Sequence, residues 1–114
     1  MGTNNHSDTS LLAKVADIAA LVDYQSGAVV SRTIIERNSG TVTLFAFDQG
    51  QGLSEHTAPF DALVYIVDGA AVIIIDDQSH DLKSGEAIIM PANHIHALRA
   101  DTRFKMMLVM IKEN

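Results

Sequence analysis

The chain has 114 residues, of which 47% are hydrophobic and 19% are charged; this composition is typical of one globular domain and excludes a disordered chain. No cysteine is present, which excludes disulfides and thiolate chemistry, and the formal charge of -6 disfavours a nucleic acid partner. No apolar run approaches the roughly 18–20 residues of a membrane-spanning helix, and the N-terminus lacks a signal-peptide core, so we expect a cytoplasmic protein without a membrane partner.

The chain begins with a polar segment, residues 1–10, which we expect to be a flexible tail ahead of a single domain over residues 11–114. Apolar residues then recur at the spacing of a short N-terminal helix, at Leu11, Val15, Ile18 and Val22. Asp8 or Ser10 is suited to cap such a helix, because both side chains accept hydrogen bonds from free backbone N–H groups.

After Gly27, short β-branched and apolar runs alternate with turn residues at intervals of roughly 8–12 residues. The predicted strands are 29–36, 41–47, 63–67, 70–75, 80–82, 87–90, 94–100 and 104–111. The dipeptide Asp68-Gly69 lies between two of them and predicts a tight hairpin, because a type I′ turn requires a positive φ at both central residues. The pattern indicates an all-β antiparallel sandwich or barrel, not alternating strands and helices.

Several predicted strands are apolar on both faces, namely 64–67, 72–75 and 106–111. A strand of a two-layer fold requires only one apolar face. Two interpretations account for the surplus: an apolar cavity with a covered outer face, or a sheet-to-sheet interface between two copies. We favour a homodimer, because exposed apolar patches of this size are rare on monomers.

Histidines supply the candidate polar groups of a site. His94 and His96 are two residues apart, so on a strand both side chains point to the same face, about 6.6 Å apart along the chain. Two such imidazoles can converge on one metal ion or one ligand, although a structural or exposed histidine is the alternative. His56 follows a glycine-containing loop, and Asp61 is the next carboxylate after it.

These spacings resemble the two sequence motifs of the cupin family. The first motif, G-x5-H-x-H-x3,4-E-x6-G, is similar to the segment that contains Gly50, His56 and Gly69. The second motif, G-x5-P-x-G-x2-H-x3-N, is similar to the segment that contains Gly85, Pro91 and His96. The resemblance implies a double-stranded β-helix, a jelly-roll barrel with a pocket between its two sheets, which is often dimeric.

The chain departs from both motifs. The second histidine, the glutamate, the second-motif glycine and the final asparagine are replaced by Ala58, Ala62, Asn93 and Ala100. The family's usual metal shell of three histidines and a glutamate is therefore incomplete.

Of that shell, only His56 and His96 carry over residue by residue. His94 is the third candidate metal ligand if it points inward, and Asp61 contributes an oxygen only if a register shift turns it inward. Because Mn, Fe, Ni or Zn sites normally use three or more protein ligands, we favour a metal-free pocket over a weakly held divalent ion.

The resemblance favours a protein that binds a small molecule without catalysis. His56 and His96 would supply its oriented polar groups. We predict that the apolar lining of the pocket comprises Phe45, Phe47, Leu63, Tyr65, Ile89 and Leu98.

Two other functions remain open. One is a small enzyme, an isomerase, epimerase or metal-dependent oxygenase, in which His56 or His96 acts together with Asp61 or Tyr65. The other is a structural domain with no ligand-sized cavity. A histidine that contacts both a carboxylate and an open cavity favours catalysis, whereas an apolar cavity favours binding.

Overall fold

The computed structural model describes residues 7–112, which form eight strands and two short 3-10 helices. The helices are Thr9–Leu11 and Ile18–Leu21. The strands are β1 (Val29–Arg37), β2 (Gly40–Phe47), β3 (Gly52–His56), β4 (Ala62–Ile75), β5 (Gln78–Lys83), β6 (Ala87–Met90), β7 (His96–Arg99) and β8 (Phe104–Ile111). Within these described residues, no helix has the length and apolar character needed to cross a membrane.

The strands form a curled antiparallel sheet in the order β1-β2-β8-β4-β7-β3, and β5 and β6 also pair with β4. The first half of β4 pairs with β6 and β8, and its second half pairs with β5 and β7. We call the first half of β4 together with β1, β2, β6 and β8 the front layer. The second half of β4 together with β3, β5 and β7 is the back layer. This arrangement confirms the predicted all-β jelly-roll barrel.

The predicted hairpin at Asp68-Gly69 is wrong, because β4 continues through both residues. Only Gly69 has a positive φ, 76°, whereas a type I′ turn requires two such residues. The register of β4 against β8 shifts between Ile66 and Asp68. The dipeptide therefore lies at an irregularity where the strand passes from the front layer to the back layer.

The predicted N-terminal helix exists only as the two isolated 3-10 helices. The side chain of Asp8 caps the first of these, and not the longer predicted helix, by accepting a hydrogen bond from the backbone N–H of Ser10. Ala13 has a positive φ of 58°, which is incompatible with a continuous helix. Of the predicted flexible segment, residues 1–6 lie outside the described residues, and the N–H of Asp8 donates to the carbonyl of Ile34 in β1.

Two apolar clusters hold the fold together. The larger one fills the space between the layers and includes Phe47 and Phe104, whose rings stack with centroids 4.6 Å apart. The smaller one lies on the outer face of the front layer, where Val22 of the N-terminal segment packs with Leu44 and Ala46 of β2. The N-terminal segment therefore covers the β1–β2 side of that outer face.

Candidate functional site

A cavity of about 390 Å³ lies between the two layers. Its wall combines front-layer side chains with side chains of the back layer and of the segment between β3 and β4. The lining residues are Phe45, Leu53, His56, Ala58, Phe60, Ala62, Met90, His96, Leu98, Met106, Leu108, Met110 and Lys112. All of them except His56, His96 and Lys112 are apolar.

Strand alternation explains this lining. Successive side chains of a strand point to opposite faces, so every second residue of β8 faces the cavity: Met106, Leu108 and Met110. Ala62 of β4 pairs with Met110 of β8 and with Met90 of β6. This row of small and flexible side chains leaves open space between the layers.

His56 and His96 meet at the cavity because β3 contains an irregularity. Leu53 pairs with Leu98, which in a regular ladder would bring Glu55 opposite His96, but His56 occupies that position instead. One extra residue in β3 accounts for this shift, as in a β-bulge. The shift exchanges a carboxylate for an imidazole opposite His96.

The two imidazoles are in direct contact. Their Nε2 atoms are 3.0 Å apart, and the rings meet edge to face at an interplanar angle of 77°. His96 is 3% exposed, whereas His56 is exposed. The pair therefore presents one buried ring and one accessible ring at the cavity wall.

The hydrogen bonds of this pair define its tautomers. The Ser54 carbonyl accepts only, so Nδ1 of His56, 2.9 Å away, carries a hydrogen. When His56 is neutral, its Nε2 accepts a hydrogen bond from Nε2–H of His96. Nδ1 of His96 then retains a lone pair, and it is buried without a hydrogen-bond partner in the described part of the chain. An unpaired buried acceptor costs about 1–3 kcal/mol.

Burial also lowers the pKa of His96 below its ordinary value of 6.5, and repulsion from His56 adds to this effect. The backbone of His94 acts in the opposite direction, but it does not form a hydrogen bond with Nδ1. His96 is therefore neutral at pH 7, and the cavity wall carries no full positive charge at this position.

The other candidate polar residues lie apart from the histidine pair. Oδ1 of Asp61 accepts the backbone N–H of Ala92 at 2.8 Å, which fixes the loop before β7. Nδ1 of His94 contacts the carboxylate of Asp76, and about half of each side chain is exposed. Neither Asp61 nor His94 lines the cavity.

The predicted apolar lining is divided among three places. Phe45 and Leu98 line the cavity, and Phe47 lies in the buried core beside it. The other three face outward from the front layer, with exposed fractions of 37%, 38% and 60% for Leu63, Tyr65 and Ile89. Because β4 and β6 are apolar on both faces, hydrophobicity alone does not identify the inward set.

Phe60, Lys112 and the three lining methionines were not predicted as site residues. The β8 residues of the lining can be identified from the alternation of side chains along the strand. Once Met106 is placed inward, alternation carries every second residue to the same side, and Lys112 continues the series one residue beyond the strand.

The residues present do not fit the metal shell that the family resemblance implies. Ala58 and Ala62 line the cavity where a second histidine and a glutamate would supply ligands. Among residues 7–112, no group of three or more histidine, cysteine or acidic side chains is arranged to hold a metal ion. Two imidazoles are fewer than the three or more ligands that protein metal sites normally provide.

Comparisons with known proteins agree with the architecture. A family model described as "Cupin domain" matches residues 43–112. A conserved protein of unknown function from Streptococcus pyogenes is 38% identical, with a TM-score of 0.86 over 90% of each chain. A cupin superfamily protein from Desulfitobacterium hafniense DCB-2 is 31% identical, with a TM-score of 0.84 over 89% of this chain and 93% of the other.

A curated relative is more distant. Protein SchB of Streptomyces halstedii is 29% identical over 73 residues, which make up 63% of this chain and 53% of SchB. The chain thus spans about half the length of that relative. The similarity supports a domain common to both proteins, and it does not extend to the rest of SchB.

Proposed function

The chain belongs to the cupin family, and we propose that its barrel pocket binds a small, mainly apolar molecule. The observation that carries this proposal is the cavity of about 390 Å³, with apolar walls and three polar side chains. Small-molecule sites typically have volumes of about 300–1,000 Å³ and combine apolar walls with a few oriented polar groups. The histidine pair, His56 and His96, supplies such groups.

The surroundings of the histidine pair favour binding over catalysis. A histidine base is usually oriented and activated by a carboxylate, but no acidic side chain of the described residues lines this cavity. The one histidine that is paired with a carboxylate within residues 7–112, His94 with Asp76, lies outside the cavity. We therefore rank the isomerase, epimerase and oxygenase alternatives below binding.

We propose that binding requires no tightly held divalent ion. His56 and His96 offer two nitrogen ligands, and the neighbouring positions Ala58 and Ala62 offer none. A site with two protein ligands holds Mn, Fe, Ni or Zn weakly. Treatment with a chelator should consequently leave ligand binding unchanged.

Titration with N-phenyl-1-naphthylamine, a neutral apolar dye that fluoresces in apolar surroundings, tests the proposal. We expect saturable binding of one dye per chain, with or without chelator. Ala62→Phe fills the cavity and should weaken binding by about tenfold or more. Leu63→Phe, on the outer face of the same strand, is the matched control and should leave it unchanged.

Circular dichroism and thermal unfolding of both variants establish that each one folds. Unsaturable dye binding by the wild-type chain, or full affinity in a folded Ala62→Phe variant, would contradict the proposal. Loss of binding on chelation would contradict its metal-free part alone.

A further inference from the structure

The wall of the cavity carries one permanently charged side chain among the described residues. Of the residues that line it, only Lys112 is a lysine, arginine, aspartate or glutamate. The rest of the wall is apolar apart from His56 and His96, and His96 is held in its neutral form by burial. Lys112 is therefore the one side chain of this wall, apart from the histidine pair, that can bring a charge to the pocket.

Lys112 is held at the cavity by three features of the fold. It follows Met106, Leu108 and Met110 in the inward phase of β8. Its backbone N–H donates to the carbonyl of Ser39 at 2.7 Å, which anchors the chain just beyond the strand. Its Nζ lies 5.9 Å from the centroid of the Phe60 ring, which is part of the cavity wall.

Within residues 7–112, no carboxylate neutralises Lys112. The ion pairs of this part of the chain are Arg32–Asp8, His94–Asp76 and Arg99–Asp101. The chain has 14 acidic residues and only 8 basic ones, so carboxylates are plentiful. Even so, the half-buried Lys112 forms no ion pair with a carboxylate of residues 7–112. A charge beside an apolar wall loses hydration, and a partner of opposite charge compensates for that loss.

From this placement we propose that the ligand is an apolar carboxylic acid, whose carboxylate pairs with Lys112 while its apolar body lies among Phe45, Met106 and Leu108. The inference rests on the proposed binding function and specifies its ligand class. A carboxylate and an ammonium form a charge-assisted hydrogen bond, which is stronger than a neutral one. The apolar body gains affinity from the area that it buries.

A pair of probes with the same carbon skeleton tests the charge. We compare 4-phenylbutanoate with its neutral amide, 4-phenylbutanamide, by displacement of the neutral dye used above. The acid should bind the wild-type chain about tenfold more tightly than the amide. Lys112→Gln should abolish this difference between acid and amide, and Lys112→Arg should retain it.

Lys83→Gln is the matched control, because it removes the same charge from an exposed position outside the cavity. It should preserve the preference for the acid. Equal affinity for acid and amide in the wild-type chain, or a preference that survives Lys112→Gln, would overturn the ligand class but leave dye binding intact. Failure of the neutral dye to bind would overturn the proposed function itself.

Discussion

At the scale of single residues, His56 and His96 share one hydrogen bond across neighbouring strands, between Nε2 atoms 3.0 Å apart. Packing buries His96 almost completely, and one of its ring nitrogens has no partner among the described residues. A leucine at this position would avoid the cost of the unpaired nitrogen. Stability alone therefore does not explain the pair, in agreement with its proposed role in ligand binding.

The lowered pKa of His96 predicts how stability depends on pH. The unfolded chain takes up the proton near the ordinary pKa of 6.5, whereas the folded chain takes it up only at lower pH. The stabilisation is therefore complete above pH 6.5 and is lost as the pH falls from there towards the pKa of the folded state. The loss is limited to about 1.4 kcal/mol for each pH unit between the two pKa values.

Urea unfolding at pH 7.5 and pH 5.5 measures this effect. Both pH values lie above the ordinary pKa of aspartate, 3.8, so that titration of aspartates contributes little to the difference. We expect the free energy of unfolding to be lower at pH 5.5 in the wild-type chain. His96→Leu should reduce that difference. An equal or larger difference in the variant would contradict the assignment.

Sequence motifs were sufficient to identify both members of the histidine pair, because the spacing from Gly50 to His56 and from Pro91 to His96 is local. The contact between them was not predictable in detail. It depends on the register shift in β3 that brings His56, and not Glu55, opposite His96. The structure also places Leu63 and Tyr65 on the outer face. The sequence does not predict this, because a strand that is apolar on both faces does not indicate which face turns inward.

At the scale of elements, β4 connects the two layers, and Gly69 permits its passage. A Cβ at this position would overlap the carbonyl oxygen of Arg103 and lie 3.0 Å from Cα of Phe104. The φ of 76° is also strained for any residue with a side chain. Gly69→Ala should therefore destabilise the fold by about 3 kcal/mol or more.

Gly85→Ala separates the two causes of that destabilisation. Gly85 has a φ of 90°, but nothing beyond its chain neighbours lies within 4 Å of the point that a Cβ would occupy, so only backbone strain applies. We expect a cost of about 1–2 kcal/mol there. Chemical denaturation of both variants measures the difference, and equal losses would show that the close approach to Arg103 contributes nothing.

Most strands were predictable from β-branched runs between turn residues, but two features were not. β3 reads Gly-Leu-Ser-Glu-His, and this mostly polar sequence becomes a strand through its pairing with β7. Asp68-Gly69 has the composition of a hairpin turn, but pairing of β4 with β8 up to Gly69 and with β5 from Ala70 onward keeps the strand continuous. In both cases contacts distant in sequence override the local pattern.

At the scale of the whole molecule, homodimer formation stays a prediction, and the structure offers a surface for it. Leu63 pairs with Ile89 and with Val109 on the front layer, and Leu63, Tyr65 and Ile89 are exposed. The N-terminal segment covers the β1–β2 side of this face and reaches Met107 of β8, but it leaves these three side chains exposed. A second copy placed there would remove these apolar side chains from water.

Light scattering coupled to size-exclusion chromatography measures the mass. We expect twice the chain mass of 12.3 kDa for the wild-type protein and the mass of one chain for Leu63→Asp. Lys14→Asp, a change at an exposed position of the N-terminal segment, should remain dimeric. A wild-type monomer at micromolar concentration would contradict the prediction.

The barrel as a whole was the most predictable feature, because its turn spacing and its two motifs extend over most of the chain. The pocket was predictable only in part. Its existence follows from the family, but its contents depend on which face of each apolar strand turns inward. Lys112 was missed because no motif contains it and only the alternation of β8 carries it to the cavity.

The most direct test of the binding pocket is long-range ¹H–¹⁵N NMR of the histidine rings at pH 7, before and after addition of one equivalent of the neutral dye. We predict a hydrogen on Nδ1 of His56, a neutral ring at His96, and dye-induced shifts at both rings, whereas His94 is unaffected. Unchanged resonances of His56 and His96 in a dye-saturated protein, or shifts confined to His94, would contradict a binding pocket at the histidine pair.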